Sequence, residues 1–340
     1  MKKLLIVTDA WAPQVNGVAV SVAAIAEALG KQGLEVVVVH PGLFARNVSL
    51  PFYPEISVPL FPGRRMREIF EREQPAYVHL ATEGFLGLAA RKFCKAHKVP
   101  VTTFYHTHFP LYASYYVLGG QLISFVMVRY LRWFHRASRA VMVSTKTLQA
   151  HLTSQGYRRV VVVPLGLDTT RFVRDESSAP ALGLARPVFV YFGRIAKEKS
   201  VEEFLVAPLS GSKLVIGDGP DRARLEKKYG TGALFVGYRR GQELVDYLSA
   251  ADVCVFPSRT ETFGLVVLEA LACGLPVAAH DVMGPRDIIT PGVDGALDEN
   301  IAAAATRCLT LSREDCRHKA MQYSWNITAE TFLMHVKSHV

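Results

Sequence analysis

Apolar runs of four to six residues recur between helix-length stretches from one end of the chain to the other. Short strands of that kind, separated by longer amphipathic segments, build a layered α/β core in which helices cover both faces of a sheet. In the first half the strand-like runs are residues 4–8, 35–40, 77–80, 99–104, 141–144 and 160–164, with a helix over 20–29. In the second half they are 188–192, 213–216, 233–236, 252–256 and 276–279. Residues 174–187 collect Pro, Ser, Gly and charge, as linkers do. The 340 residues therefore divide into a domain at 1–170, a linker at 171–187, a second domain at 188–322 and an amphipathic closing helix at 323–340.

The setting is narrowed by what the chain lacks. Four apolar residues after Lys3 meet Thr8 and Asp9, too short a run for a signal-peptide core, so the start reads as a first strand. No stretch approaches the roughly 18 apolar residues of a spanning helix. Cys94, Cys254, Cys273, Cys308 and Cys316 form no C-x-x-C pair, and their odd number fits reduced thiols in the cytosol. Charge is lopsided: residues 1–165 carry 19 Lys and Arg against 8 Asp and Glu, whereas residues 166–340 carry 20 against 22.

The chemistry concentrates between Gly193 and Glu269. Glu269 is the one charged residue in the run Gly264-Leu-Val-Val-Leu-Glu-Ala-Leu-Ala-Cys-Gly-Leu-Pro276. A carboxylate among apolar neighbours needs strong hydrogen-bond donors, and the diol of a ribose supplies them. Glu261 stands eight positions earlier, on a loop that enters a helix, with Thr262, Phe263, Gly264 and Leu265 behind it. Helix N-termini attract phosphate, and glycine lets the backbone come close. At the end of another strand, Gly193-Arg194 and then Lys199 offer cations to diphosphate oxygens, with Lys197 as the alternative lysine. All these elements lie at strand C-terminal ends, where open α/β sheets bind ligands. They describe a cradle for a sugar linked to a diphosphate. Gly217-Asp218-Gly219-Pro220 reads as a tight turn.

With these residues in view, the chain resembles glycosyltransferase family 4, retaining enzymes of the GT-B fold, over nearly its whole length. The resemblance implies two Rossmann-like α/β domains facing each other across a cleft, with the closing helix packed back on the first domain. Thr8-Asp9-Ala10-Trp11-Ala12-Pro13-Gln14-Val15-Asn16-Gly17-Val18 is similar to the family's first-strand loop, which gives Gly17 the approach to the donor phosphates. Phe104-Tyr105-His106-Thr107-His108 is similar to the segment bearing the active-site histidine, which His106 matches. Gly193, Arg194 and Lys199 match the diphosphate motif, Glu261 and Glu269 the acidic pair that contacts donor sugar and ribose, and residues 235–238, Tyr238 included, flank the base. The catalytic set implied is His106, Arg194, Lys199 and Glu261. A nucleoside diphosphate sugar is a co-substrate, so no cofactor is expected, and with no Asp-x-Asp motif no metal is expected either. His106 and His108 share a face, leaving a metal pair or a donor-site histidine open, but no carboxylate lies nearby to complete a zinc or iron site. Glu83 and His108 are candidate acceptor contacts.

Two basic clusters mix cations with large apolar groups: Arg64, Arg65 and Arg67, and then Arg129, Arg132, Trp133 and Arg136, with Phe134 and Arg139. On one helix the arginines of the second cluster share a face with the aromatics beside it. A solvated helix face has that look, and so has a membrane-surface helix, which anionic lipid attracts at roughly 1 kcal/mol per basic residue. No nucleic-acid motif accompanies the charge. The expected partners are thus a nucleotide-sugar donor, UDP-linked ahead of GDP-mannose, and a lipid acceptor such as diacylglycerol or a glycolipid. The protein is expected in the cytoplasm, held peripherally on the inner face of the plasma membrane. Residues 104–116 look closest to family members that build glycoglycerolipids or mannosyl lipids. A soluble acceptor, a sugar-nucleotide epimerase and a non-catalytic nucleotide-sugar adaptor are the alternatives.

Overall fold

The computed structural model describes residues 3–14, 16–50, 53–108 and 120–338, the side chains of 50, 53–56 and 120 excepted. Most of the 104–116 segment therefore lies outside the described residues. The chain forms two compact units, Met1–Gly166 with Trp325–Val340, and Leu167–Ser324.

The first unit is built on β1 (Lys3–Val7), β2 (Glu35–Val39), β5 (Tyr77–Leu80), β6 (Val101–Phe104), β7 (Val141–Val143) and β8 (Val160–Val162), all parallel in the order β2-β1-β5-β6-β7-β8. An antiparallel hairpin, β3 (Asn47–Leu50) and β4 (Tyr53–Pro59), stands outside the sheet. Helices α1 (Gly17–Lys31), α2 (Gly63–Glu73), α3 (Phe85–Ala96), α4 (Gly120–His135) and α5 (Lys146–Ser154) connect the strands. Parallel strands covered on both faces need unbroken apolar sequence, and Leu4, Leu5, Ile6 and Val7 are all buried. Each such side chain contributes about 1.5–3 kcal/mol on burial.

The second unit orders β9 (Val188–Phe192), β10 (Ser212–Ile216), β11 (Leu234–Gly237), β12 (Val253–Phe256), β13 (Val277–Ala279) and β14 (Gly295–Leu297) as β11-β10-β9-β12-β13-β14, again all parallel. This is the doubly wound nucleotide-binding order, and the winding reverses between β9 and β12. Its helices are α6 (Val201–Val206), α7 (Arg222–Tyr229), α8 (Gly241–Ser249), α9 (Leu265–Ala272), α10 (Pro285–Ile288), α11 (Ile301–Cys308) and α12 (Arg313–Ala320). The last helix, α13 (Trp325–Lys337), belongs to the first unit: it packs on α1, Phe332 meets the edge of His79, and Thr328 donates to Pro164 O at 2.8 Å. Residues 171–187 are not a free linker. Arg174 donates to Ala251 O at 3.1 Å and the Asp175 N–H to Ser249 Oγ at 3.1 Å, which ties that stretch to the second unit.

Candidate active site

At the point where the second sheet reverses its winding, the C-terminal ends of β9 and β12 lie side by side. Gly193 leaves β9 at a φ of +134°, and its N–H donates to Ile216 O at 2.9 Å. The next turn is fixed by Tyr191 Oη donating to Arg194 O at 2.6 Å and by the Ile195 N–H donating to Asp218 O at 2.8 Å. Residues 217–220 brace this loop from below, a role the sequence pattern of a tight turn does not reveal. A Cβ at Gly217 would stand 1.9 Å from Gly193 O, and one at Gly219 2.3 Å from Ile195 O. Only glycine permits that approach.

Lys199 closes a 3₁₀ turn (Lys197–Lys199), and its ammonium pairs directly with the Glu261 carboxylate from the loop after β12. Ser258 Oγ donates to Glu261 Oε1 at 2.8 Å, and Thr260 Oγ1 to Glu198 O at 3.3 Å, so the two loops are stitched together. Lys199 and Glu261 side chains are 20% and 11% exposed, which screens the pair only partly from solvent. Such a pair keeps an ammonium and a carboxylate at an anion-accepting strand end, each able to exchange its partner for a polyhydroxy phosphate ligand.

Beyond Glu261, Phe263 is buried with its ring edge toward Tyr323, and Gly264 enters α9 at a φ of +95°. Thr262 and Leu265 flank that turn. A Cβ on Gly193 would lie 3.9 Å from Val266 Cγ2, which places the first turn of α9 beside the β9 loop. The N-terminal N–H groups of α9 are thus beside Gly193 and its loop, suited to an anion. Tyr238, which follows β11, is 42% exposed, with the Arg240 guanidinium 4.7 Å from its ring centre.

Glu269 lies one turn along α9. Burial pushes its carboxyl up to about 7, and the charge of Arg171 holds it back from going higher. Arg171 carries no sequence signal for this role. A carboxyl raised in the folded state favours folding while protonated, so its contribution is complete below the unfolded value and is lost as pH rises through about 7. Glu269→Gln should therefore gain stability relative to wild type between pH 5 and pH 8, by about 1–3 kcal/mol, in urea melts at the two pH values. A pH-independent difference would contradict the assignment.

In the first unit the loop after β1 leads to Asn16, whose side chain caps α1 by accepting from the Ala19 N–H at 2.9 Å, with Gly17 as the first helical residue. Asp9 turns back instead: Oδ1 accepts from the Leu86 N–H at 3.0 Å and Oδ2 from Thr82 Oγ1 at 2.7 Å, capping α3. His106, just beyond β6, stacks on Phe104 with ring centres 4.0 Å apart. Burial lowers its pKa to about 3, so the ring is neutral across the physiological range. His108 meets His151.

Other expectations need correction. Glu83 is buried at 6% exposure; its carboxylate lies 3.0 Å from His135 Nε2, and its carbonyl accepts from Tyr130 Oη. It is committed to the interior rather than presented to an acceptor, because a buried carboxylate requires a partner. The helix of the second basic cluster ends at His135, so Arg136 and Arg139 lie beyond it, and Phe134 is buried in the core. Arg129, Arg132 and Trp133 are on its exposed face, continuous with exposed Leu122, Phe125 and Val126. Arg64, Arg65 and Arg67 are exposed on α2, where Glu68 pairs with the first two.

Two Rossmann-like α/β domains with parallel sheets in these orders match the glycosyltransferases of GT-B type. The sucrose-phosphate synthase of Thermosynechococcus elongatus has this fold, with a TM-score of 0.82 over 98% of both chains at 19% identity. Anabaena HepE in complex with UDP matches 99% of this chain and 100% of its own at a TM-score of 0.72 and 15% identity. The chain belongs to glycosyltransferase family 4. The family model described as Glycosyltransferase Family 4 matches residues 15–171, and that described as Glycosyl transferases group 1 matches residues 186–314. A GDP-mannose-dependent alpha-mannosyltransferase of Mycobacterium tuberculosis is 35% identical over 87% of this chain and 83% of its own. An alpha-monoglucosyldiacylglycerol synthase of Streptococcus pneumoniae is 29% identical over 96% of this chain and 82% of its own. The protein is thus a hexosyltransferase.

Proposed function

We propose that this enzyme transfers mannose from GDP-mannose, with retention of anomeric configuration, to a lipid acceptor at a membrane surface. The observation that carries the reading is the Lys199–Glu261 pair at the β9/β12 switch point, which joins a phosphate-seeking cation to a hydroxyl-seeking carboxylate. Arg194, Lys199 and the N-terminal N–H groups of α9 take up the charge that develops on the departing nucleoside diphosphate, the role a metal ion plays elsewhere. Gly17, at the start of α1, lets the backbone come near the phosphates. Glu261 holds sugar hydroxyls, Glu269 the ribose diol, and neutral His106 donates or accepts at the sugar. Tyr238 flanks the base. GDP-mannose moves ahead of a UDP-hexose because GDP-mannose-dependent relatives stand at 35% and 31% identity. A second reading, a glucosyl donor with a diacylglycerol-based acceptor, is favoured by the pneumococcal relative. Calorimetric titration with GDP and with UDP separates the two: GDP binding the tighter supports the first, UDP the second.

A lipid acceptor is favoured by the exposed face of α4, where Leu122, Phe125, Val126 and Trp133 stand beside Arg129 and Arg132. Among the described residues no helix is long and apolar enough to cross a membrane. Contact in this reading is peripheral, on the cytoplasmic leaflet. With two arginines worth roughly 1 kcal/mol each, the R129A/R132A double variant should bind anionic vesicles on the order of thirtyfold more weakly in a sedimentation assay. Unchanged vesicle binding would remove α4 from the contact.

A further inference from the structure

The sequence left the pair His106 and His108 open as metal ligands, but the structure gives His108 a different partner. Its Nε2 lies 3.2 Å from Nε2 of His151 on α5. One helical turn further, the side-chain amide of Gln155 reaches the same His151 nitrogen at 3.0 Å, so three polar groups converge on one point. The Tyr105 ring stands edge-on to His108, with centres 6.1 Å apart.

Two imidazole nitrogens at about 2.0–2.1 Å from a tetrahedral ion are about 3.3 Å from each other. His108 and His151 already stand at that separation. We propose that His108 and His151 form a site for one divalent late-transition ion of the Zn²⁺, Co²⁺ and Ni²⁺ class. Each ring binds through Nε2 and carries its proton on Nδ1; the ring that holds the Nε2 proton in the metal-free state gives it up and takes one on Nδ1, a tautomer change through solvent with no net proton release. A turn of the Gln155 amide presents its oxygen as a third ligand, and water fills the remaining positions. Among the described residues no group of three or more His, Cys, Asp and Glu side chains gathers around an ion, so this is an open two-imidazole site and not a closed structural cage. A bound ion would fasten the segment after β6, which carries His106, to α5.

The test is a titration of the chelator-stripped full-length protein with Co²⁺, read by visible absorbance, and with Zn²⁺, read by calorimetry. One saturable equivalent is expected, weakened on the order of tenfold or more in both H108Q and H151Q and unchanged in H318Q. Absence of saturable binding, or binding that survives both H108Q and H151Q, overturns the site. Neither readout requires turnover, so the outcome is independent of donor and acceptor identity.

Discussion

Lys199→Ala should lower kcat/KM for transfer by about 10²–10³-fold, the scale on which one preorganised charge at a developing anion is felt. The ammonium is held in position before the donor arrives, because Glu261 pairs with it and Ser258 orients Glu261. Little reorganisation is then needed at the moment of reaction. A purely structural role for the ion pair predicts a different pattern. In that case K199A leaves a partly buried carboxylate unpaired, and K199A/E261Q recovers most of the activity by removing the stranded charge. The account expects no such recovery, since both side chains are assigned to the donor. Single-turnover rates for the two single variants and the double variant decide between the patterns.

Gly217→Ala should destabilise the second unit by about 2–4 kcal/mol in urea unfolding and abolish donor binding where the fold survives. Two penalties combine there: the φ of +150° lies where L side chains are rare, and the added Cβ would meet Gly193 O at 1.9 Å. The clash falls on the carbonyl of the residue that begins the loop after β9, to which the proposed function assigns the diphosphate, so strain and donor binding should change together. Gly292→Ala isolates the backbone term, because Gly292 also has a positive φ of +82° but nothing within 4 Å of the new atom. It should cost about 1 kcal/mol and leave donor binding intact. Equal effects of the two substitutions would show that the close approach is unimportant.

The strands were the most legible part of the chain, for a physical reason. A strand buried on both faces must be a continuous apolar run, and residues 77–80 and 188–192 have the observed bounds of β5 and β9. The β3–β4 hairpin and β14 escaped notice because they lack that signature: β3 alternates polar and apolar residues, with residues 47–49 exposed, and β14 is a three-residue Gly-Ala-Leu strand. Among the site residues, Lys199 and Glu261 were visible through motif order, and the structure pairs them across 62 positions of sequence. Arg171 beside Glu269, His151 beside His108 and His135 beside Glu83 could not be found that way. Each pairing is made by the fold between distant segments and leaves no local spacing. The Gly217 and Gly219 contacts were half legible: the turn was evident, but its pressure against the β9 loop follows from the parallel pairing of β9 with β10. The arginine face was overextended because α4 stops at His135, one residue before Arg136.

Radiolabelled GDP-mannose, UDP-glucose and UDP-galactose, each supplied to the purified protein with anionic vesicles containing diacylglycerol or glycosylated diacylglycerol, test the central claim most directly. The account predicts label in the lipid phase from GDP-mannose, and its loss in Glu261→Gln and Arg194→Ala. Lipid label from a UDP-hexose alone would move the donor assignment to the second reading. Donor interconversion without acceptor, or nucleotide binding with no transfer from any donor to any lipid, would contradict the proposed lipid-directed transfer.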